Sequence, residues 1–211
     1  MTVRTDNETR MRVQQIGRTW SRSLFTPRLT LRPVAEADAE GLAAYGSDDL
    51  IRQKTETIPF PHDAVAAQAW ISEARALRET GDAFRFAIIE RASGRFVGVA
   101  ALSNMSELGS SAELGYWLGR PFWDRGFGRE AVAATVAFGR DILRLSSLEA
   151  LVYSENTASV AVLHGQSFRQ TSFELRDVPE RGGKRLIRRF ERDFGDENST
   201  AVQSLTGSRV A

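Results

Sequence analysis

The sequence predicts an α/β fold with one mixed sheet, on three observations. Its hydrophobic pattern moves between the two-residue period of strands and the 3.6-residue period of helices. The resulting order is strand, two helices, three strands, helix, strand, helix, two strands. No internal repeat or second core is visible. The 211 residues suffice for one domain with a substantial core and flanking tails.

Residues 1–22 are polar and Arg-rich without a sustained period, and read as a flexible N-terminal arm or an accessory helix. The domain spans 23–194. It opens on Leu24 to Pro33, where Leu29 and Leu31 alternate with Arg28, Thr30 and Arg32. Pro27 and Pro33 bracket that segment and suit an edge strand. Residues 35–45 give a short helix around Leu42, Ala43 and Tyr45, and 46–63 a long Pro-containing connection. Loops of that length are uncommon unless they shape a site. Asp63 caps a helix carrying Ala66, Ala69, Trp70, Ile71, Ala74 and Leu77 on one stripe, which Gly81 ends.

Phe84, Phe86 and Ile88 alternate in the first strand of a hairpin that turns at 91–94 and returns through 95–102. The next strand, Glu113–Leu118, puts Leu114, Tyr116 and Leu118 on one face and Glu113, Gly115 and Trp117 on the other. Val132, Val136, Gly139 and Leu143 then recur at helical spacing as far as Arg144. Leu148–Tyr153 reads as a strand and Thr157–His164 as a helix. Ser167–Leu175 and Leu186–Phe194 are two further strands, and Asp177–Gly183 is the polar turn between them. From 195 to 211 the composition is polar and aperiodic, the signature of a disordered tail.

Composition excludes several classes. A net charge of +1 gives no global attraction to nucleic acid, despite a pI near 8.2. The arginines of 181–192 alternate with Glu191 and precede Asp193 rather than forming an unbroken basic face. There is no Cys, so disulfides, a cysteine nucleophile and thiolate zinc sites are excluded. His62 and His164 lack partners at metal-ligand spacing, so no metal is expected. No apolar run is long enough to span a bilayer, and the polar start lacks a signal peptide's apolar centre. A cytoplasmic protein without a membrane partner is the default expectation.

The most informative stretch is Glu113 to Glu130 with the Ala-rich helix behind it. A helix begins with unsatisfied N–H groups and the positive end of its dipole. Gly126 and Gly128 remove side chains that would block close approach to this end, and Arg125 and Arg129 add positive charge. The combination suits an anion such as phosphate.

Four segments together resemble a known family. Thr26-Pro-Arg-Leu-Thr-Leu-Arg-Pro33, Glu113-Leu-Gly-Tyr-Trp-Leu118, Trp123-Asp-Arg-Gly-Phe-Gly-Arg-Glu-Ala131 and Asn156-Thr-Ala-Ser159 are similar to motifs of the GNAT superfamily of N-acetyltransferases. The branch most resembled is the RimJ/RimL-like one, typified by acetyltransferases of ribosomal-protein N-termini. The resemblance covers residues 24–193 and implies a GNAT fold with splayed central parallel strands and acetyl-CoA as donor. It implies that the N–H groups of Arg125, Gly126, Phe127, Gly128 and Arg129 hold the pyrophosphate. It further implies that the main chain of Tyr116, Trp117 and Leu118 meets the pantetheine arm and thioester oxygen, and that Asn156 contacts the arm. As a residue starting a helix, Asn156 also reads as a cap. Trp123 stands where the superfamily often has Gln or Arg.

Acetylation needs a neutral amine, and an α-amine is neutral in roughly a tenth of molecules at pH 7, a Lys in under about a thousandth. Glu113 is the candidate base, because a lone carboxylate in a covered strand is costly unless paired or used. Its alternative reading is an ion pair with an arginine or an exposed strand end. Many relatives place a Tyr in the helix after the Asn; here that position is Leu163. The RimL-like alternative acid is a Ser, which falls on Ser159, whose other reading is a helix residue bonded back to the main chain. The segment His164-Gly-Gln-Ser-Phe168 also departs from the family's usual Glu-Lys-Leu-Gly-Phe. Direct attack on the donor in a ternary complex by a protein N-terminal α-amine or a small-molecule amine is the leading expectation, and dimerisation is common in that branch. The competing one is a non-catalytic acyl-CoA-binding regulatory module.

Overall fold

The computed structural model describes residues 2–55, 63–179 and 182–195. The strands are β1 (Leu24–Phe25), β2 (Leu29–Pro33), β3 (Phe84–Glu90), β4 (Phe96–Ser103), β5 (Ser111–Leu118), β6 (Ser147–Tyr153), β7 (Arg169–Val178) and β8 (Gly183–Asp193). The helices are α1 (Thr2–Thr19), α2 (Ala39–Gly46), α3 (Asp49–Gln53), α4 (Ala64–Thr80), α5 (Phe127–Ala137) and α6 (Thr157–His164). All eight strands join one sheet in the order β1-β2-β3-β4-β5-β6-β8-β7. Neighbours are antiparallel except β5 and β6, which run parallel, so the sheet is mixed.

The alternation of β5 divides the core. Leu114 and Leu118 join a main cluster with Phe84, Phe86, Val132, Val136 and Phe138, packed under α5. Trp117 points the other way, into a second cluster with Leu42, Ile51, Trp70 and Ile71 from α2, α3 and α4. Phe138 anchors the first cluster, its ring 5.0 Å from that of Phe86 and 5.3 Å from that of Phe84. Each such fully buried ring contributes about 1.5–3 kcal/mol relative to exposure.

Local signals explain most element ends. Asp63 caps α4 by accepting from Ala66 N–H at 2.7 Å, and Gly81 ends it in the left-handed conformation at φ 75°. The stripe ending near Arg144 is α-helical to Ala137 and π-helical beyond it. Phe138–Ile142 form a π-helical turn in which Leu143 N–H reaches Phe138 C=O at 3.1 Å.

Two other expectations change, and the N-terminal segment takes the helical one of its two readings. β2 is not the edge: the two-residue β1 folds back on it across Thr26-Pro27-Arg28 and takes the outer position. The 46–63 connection contains α3, capped by Asp48; its remaining residues 56–62, with His62, lie outside the described set. Residues 2–19 form α1, whose Val13 is fully buried in the main cluster. The expected tail beyond 195 and part of the 177–183 turn lie outside the described residues.

Gly98 on β4 faces the end of β5 so closely that an added Cβ would sit 2.1 Å from the Trp117 carbonyl oxygen. Gly98→Ala should therefore part β4 from β5 and destabilise the fold by about 1–3 kcal/mol in urea denaturation. An unchanged midpoint would contradict this packing.

Candidate active site

β5 and β6 pair at only three positions, Ser111↔Ser147, Ala112↔Leu148 and Glu113↔Glu149. Beyond Glu113 each strand stays bonded only to its outer neighbour: β5 to β4 as far as Leu118, β6 to β8 as far as Tyr153. The strands thus diverge toward their C-terminal ends and open a cleft of about 1100 Å³. Its walls come from both strands, the first turn of α5, α6, and Ile51 to Thr55 after α3.

In an antiparallel ladder a residue aims its N–H and C=O at the same neighbour, and successive residues alternate. Gly119 N–H bonds Val97 C=O on β4, so Trp117 shares that direction, and Tyr116 and Leu118 aim into the gap. The Leu118 carbonyl there accepts the Trp123 indole N–H at 2.7 Å. Of these three positions, Tyr116 and Leu118 aim their main-chain groups into the gap; Trp117 also borders the cleft, aims its own toward β4 and buries its side chain in the opposite cluster.

The start of α5 forms the far wall. Gly126 sits at φ 77°, where a Cβ is strained, and no side chain caps the helix. The first intrahelical bond is Glu130 N–H to Gly126 C=O at 3.2 Å, so the N–H groups of Phe127, Gly128 and Arg129 precede it. Gly126, Phe127, Gly128 and Arg129 line the cleft. Arg125 does not: its guanidinium pairs with Glu90 at 2.7 Å and lies 4.5 Å from the Phe127 ring centre. An uncapped, glycine-bordered helix start of this kind fits a diphosphate.

The same turn is gripped from below. Glu130 accepts from the Thr26 hydroxyl at 2.5 Å, Arg28 N–H at 2.8 Å and the Arg28 Nε at 2.7 Å. Arg28 also donates to the Arg125 carbonyl at 2.8 Å. Desolvation opposes ionisation of Glu130, but the bonds from Thr26 and Arg28 outweigh it and hold the carboxyl below the usual glutamate range. The acidic side chain of the first helical turn is therefore turned onto the β1–β2 connection, while Asp124, just before the helix, lines the cleft. Nothing in the sequence pairs residues 26–28 with 130, although Arg28 itself lines the cleft.

Glu113 sits at the vertex, where the parallel pairing ends, and lines the cleft. It is half-buried rather than covered on both sides, and accepts from Asn104 Nδ2 at 2.9 Å. No arginine pairs with it among the described residues. Ser159, on the opposite wall, is bonded to Tyr116, whose hydroxyl donates to the Ser159 Oγ at 3.0 Å. Burial raises the Tyr116 pKa above the ordinary phenol value, the Ser159 bond opposing it. Asn156 caps α6 by accepting from Ser159 N–H at 3.2 Å, and its Nδ2 donates to the Lys54 carbonyl at 3.3 Å. Lys54 is a rim residue the sequence did not single out; its ammonium lies 5.8 Å from the Trp123 ring centre. Among the described residues, no group of three His, Asp or Glu side chains is placed to hold a metal, and no helix is long and apolar enough to cross a membrane.

A mixed sheet split at its one parallel pair, with an uncapped helix start beside the split, agrees with the family match, which places the chain among acetyl-CoA-dependent acetyltransferases. The chain belongs to the GNAT family: residues 28–168 match the Acetyltransferase (GNAT) domain. It is 35% identical over 162 residues to the Bacillus licheniformis protein named "Uncharacterized N-acetyltransferase p20", covering 77% of this chain and 90% of that one. The fold is shared with RimL, a ribosomal L7/L12 α-N-protein acetyltransferase solved with coenzyme A, at TM-score 0.75 and 16% identity, covering 82% of this chain and 99% of that one. It is also shared with Vibrio cholerae spermidine N-acetyltransferase solved with CoA and spermine, at TM-score 0.70 and 16% identity, covering 80% and 96%.

Glu130→Gln should loosen the first turn of α5 and weaken CoA binding by roughly tenfold, about 1.4 kcal/mol, in calorimetry. Because the Glu130 pKa is depressed on folding, its contribution is complete above the unfolded glutamate pKa and is lost as pH falls through the folded value. The wild type and variant should therefore converge in stability at acid pH.

Proposed function

We propose that this chain transfers the acetyl group of acetyl-CoA to a primary amine by direct attack, with both substrates held in the cleft at once. The observation that carries this reading is the end of β5–β6 pairing at Glu113↔Glu149, which leaves a slot between the uncapped start of α5 and a carboxylate. The donor supplies a thioester carbon that exchanges its C–S bond for a C–N bond. The N–H groups of Phe127, Gly128 and Arg129 bind the pyrophosphate, with the Arg129 guanidinium adding charge at the mouth. The main-chain groups of Tyr116 and Leu118 that face the gap hold the arm, and the one nearest the carbonyl oxygen stabilises the charge that builds on it. Arg125 acts through the loop's shape, because its own charge is spent on Glu90.

Glu113 takes the proton of the incoming amine, directly or through water. Asn104 holds one of its oxygens and leaves the carboxylate capacity for a second partner. Ser159 serves the departing sulfur. Since Tyr116 donates to the Ser159 oxygen, the serine's own hydrogen is left to point elsewhere, and the cleft is the open direction. Tyr116 is thus a positioning residue for Ser159, and its raised pKa keeps it a donor at neutral pH.

The acceptor is a protein N-terminal α-amine or a small-molecule amine. An α-amine is the less demanding acceptor, being neutral far more often than a lysine at pH 7. RimL and spermidine acetyltransferase, which share the fold, act on one kind each.

Steady-state CoA release over a panel of N-terminal peptides, polyamines and amino acids tests the reading; absence of turnover with every amine, despite acetyl-CoA binding, would sink it. Glu113→Gln should lower kcat/KM by about 10²–10⁴ at neutral pH, with a smaller deficit at high pH where the amine deprotonates unaided, and leave CoA affinity unchanged. Tyr116→Phe should lower kcat at constant acetyl-CoA KM, as should Ser159→Ala. The double variant should be no slower than the slower single one, whereas additive losses would separate the two hydroxyls.

A further inference from the structure

We propose that a second, shallower hollow, on the opposite side of the sheet from α5, binds a small tetrahedral oxyanion of the phosphate class. It lies between α4, the connection from α1 to β1, and the ends of β2 and β3, with a volume of about 280 Å³. Four arginines line it (Arg32, Arg75, Arg78 and Arg85) together with Ser21 and Ser23, and among the described residues no carboxylate does.

The charges are not equally compensated. Arg32 is held in a two-pronged pair with buried Asp38, at 2.7 and 2.8 Å. Arg85 pairs with Glu73 at 2.6 Å and lies 4.7 Å from the Trp70 ring centre. Among the described residues Arg75 and Arg78 have no ion pair and no side-chain hydrogen bond, and the Arg78 Nε is buried without an acceptor. They stand one turn apart on α4, where two like charges destabilise a helix. Two uncompensated guanidiniums beside two unpartnered hydroxyls around one concavity are a donor set lacking its acceptor. A phosphate-class anion offers several acceptor oxygens and the opposite charge. The hollow falls below the roughly 300–1,000 Å³ of drug-sized pockets, which limits the occupant to a small anion or the phosphoryl end of a larger molecule.

This site is independent of the acetyl-transfer reading, since none of its residues lines the cleft. The test is an amide chemical-shift titration of the full chain with inorganic phosphate at constant ionic strength, with chloride as control. Saturable shifts are expected at 21–23, 33–35 and 74–78, separate from any shifts at 126–130 where phosphate meets the start of α5. Arg75→Gln with Arg78→Gln should weaken the first set at least tenfold and leave the second unchanged. Arg75→Gln alone, at an exposed position that cannot unsettle α4, should weaken it in part. Methyl phosphate, run in parallel, separates a phosphomonoester site from a free-anion site by which binds tighter. Shifts that chloride reproduces, or that survive the double substitution, would overturn the proposal.

Discussion

The structure depends on a sheet that stops pairing partway along its only parallel contact. Every other neighbouring pair among β2 to β8 continues for five or more positions, while β5 and β6 are joined for three. Backbone N–H and C=O groups left facing a gap are costly unless something satisfies them. The chain keeps the gap open by anchoring each strand on its far side: β5 to β4, and β6 to the eleven-residue β8. One gap-facing carbonyl, that of Leu118, is satisfied internally by Trp123. The indole thus ties the end of β5 to the segment leading into α5, the two elements that a ligand in the cleft would touch together.

That link makes the start of α5 part of the sheet's mechanics rather than an appended loop. Glu130 fastens the first turn to Thr26 and Arg28 at the sheet's outer edge, and Trp123 fastens the preceding residues to the gap itself. The turn is held from the sheet's outer edge and from its interior while its own N–H groups stay uncapped. Hydrogen bonds to a charged partner contribute about 1.5–3 kcal/mol each before screening, and Arg28 is half exposed, so the lower end applies. What the grip provides is fixed geometry: donors already aimed when an anion arrives lose little entropy on binding.

Much of this was legible in the sequence because it is local. The two faces of β5 follow from alternation alone, and Leu114 and Trp117 do fall in different clusters. Asp63 and Gly81 bound α4 for reasons contained in a few residues. The illegible parts are those where distant segments compete for one group. Arg125 reads as free charge until β3 supplies Glu90, and Glu130 reads as an ordinary helix residue until 26–28 reach it. β2 reads as an edge because its prolines cannot announce that Leu24 and Phe25 fold back outside it. Ser167 takes φ 62° where glycine would be favoured, a strain that its neighbour Phe168 offsets by being buried in the main core.

The missing tyrosine at 163 becomes coherent once the walls of the cleft are considered together. Leu163 and Ser159 are one turn apart on α6 and so share a face. Leu163 is fully buried in the main cluster, where a phenol would have to find a partner for its hydroxyl. The phenol in this chain arrives instead from β5, as Tyr116, packed against the same cluster with its hydroxyl on Ser159. A ring carried by a strand at the gap is fixed by the sheet, not by the short α6, whose start is shared between Asn156's cap and its bond to Lys54. If Ser159 meets the departing sulfur, its orientation is inherited from β5, the strand that also carries Glu113. Base and proton donor would then be tied to each other through β5, which carries Glu113 directly and holds Ser159 through Tyr116.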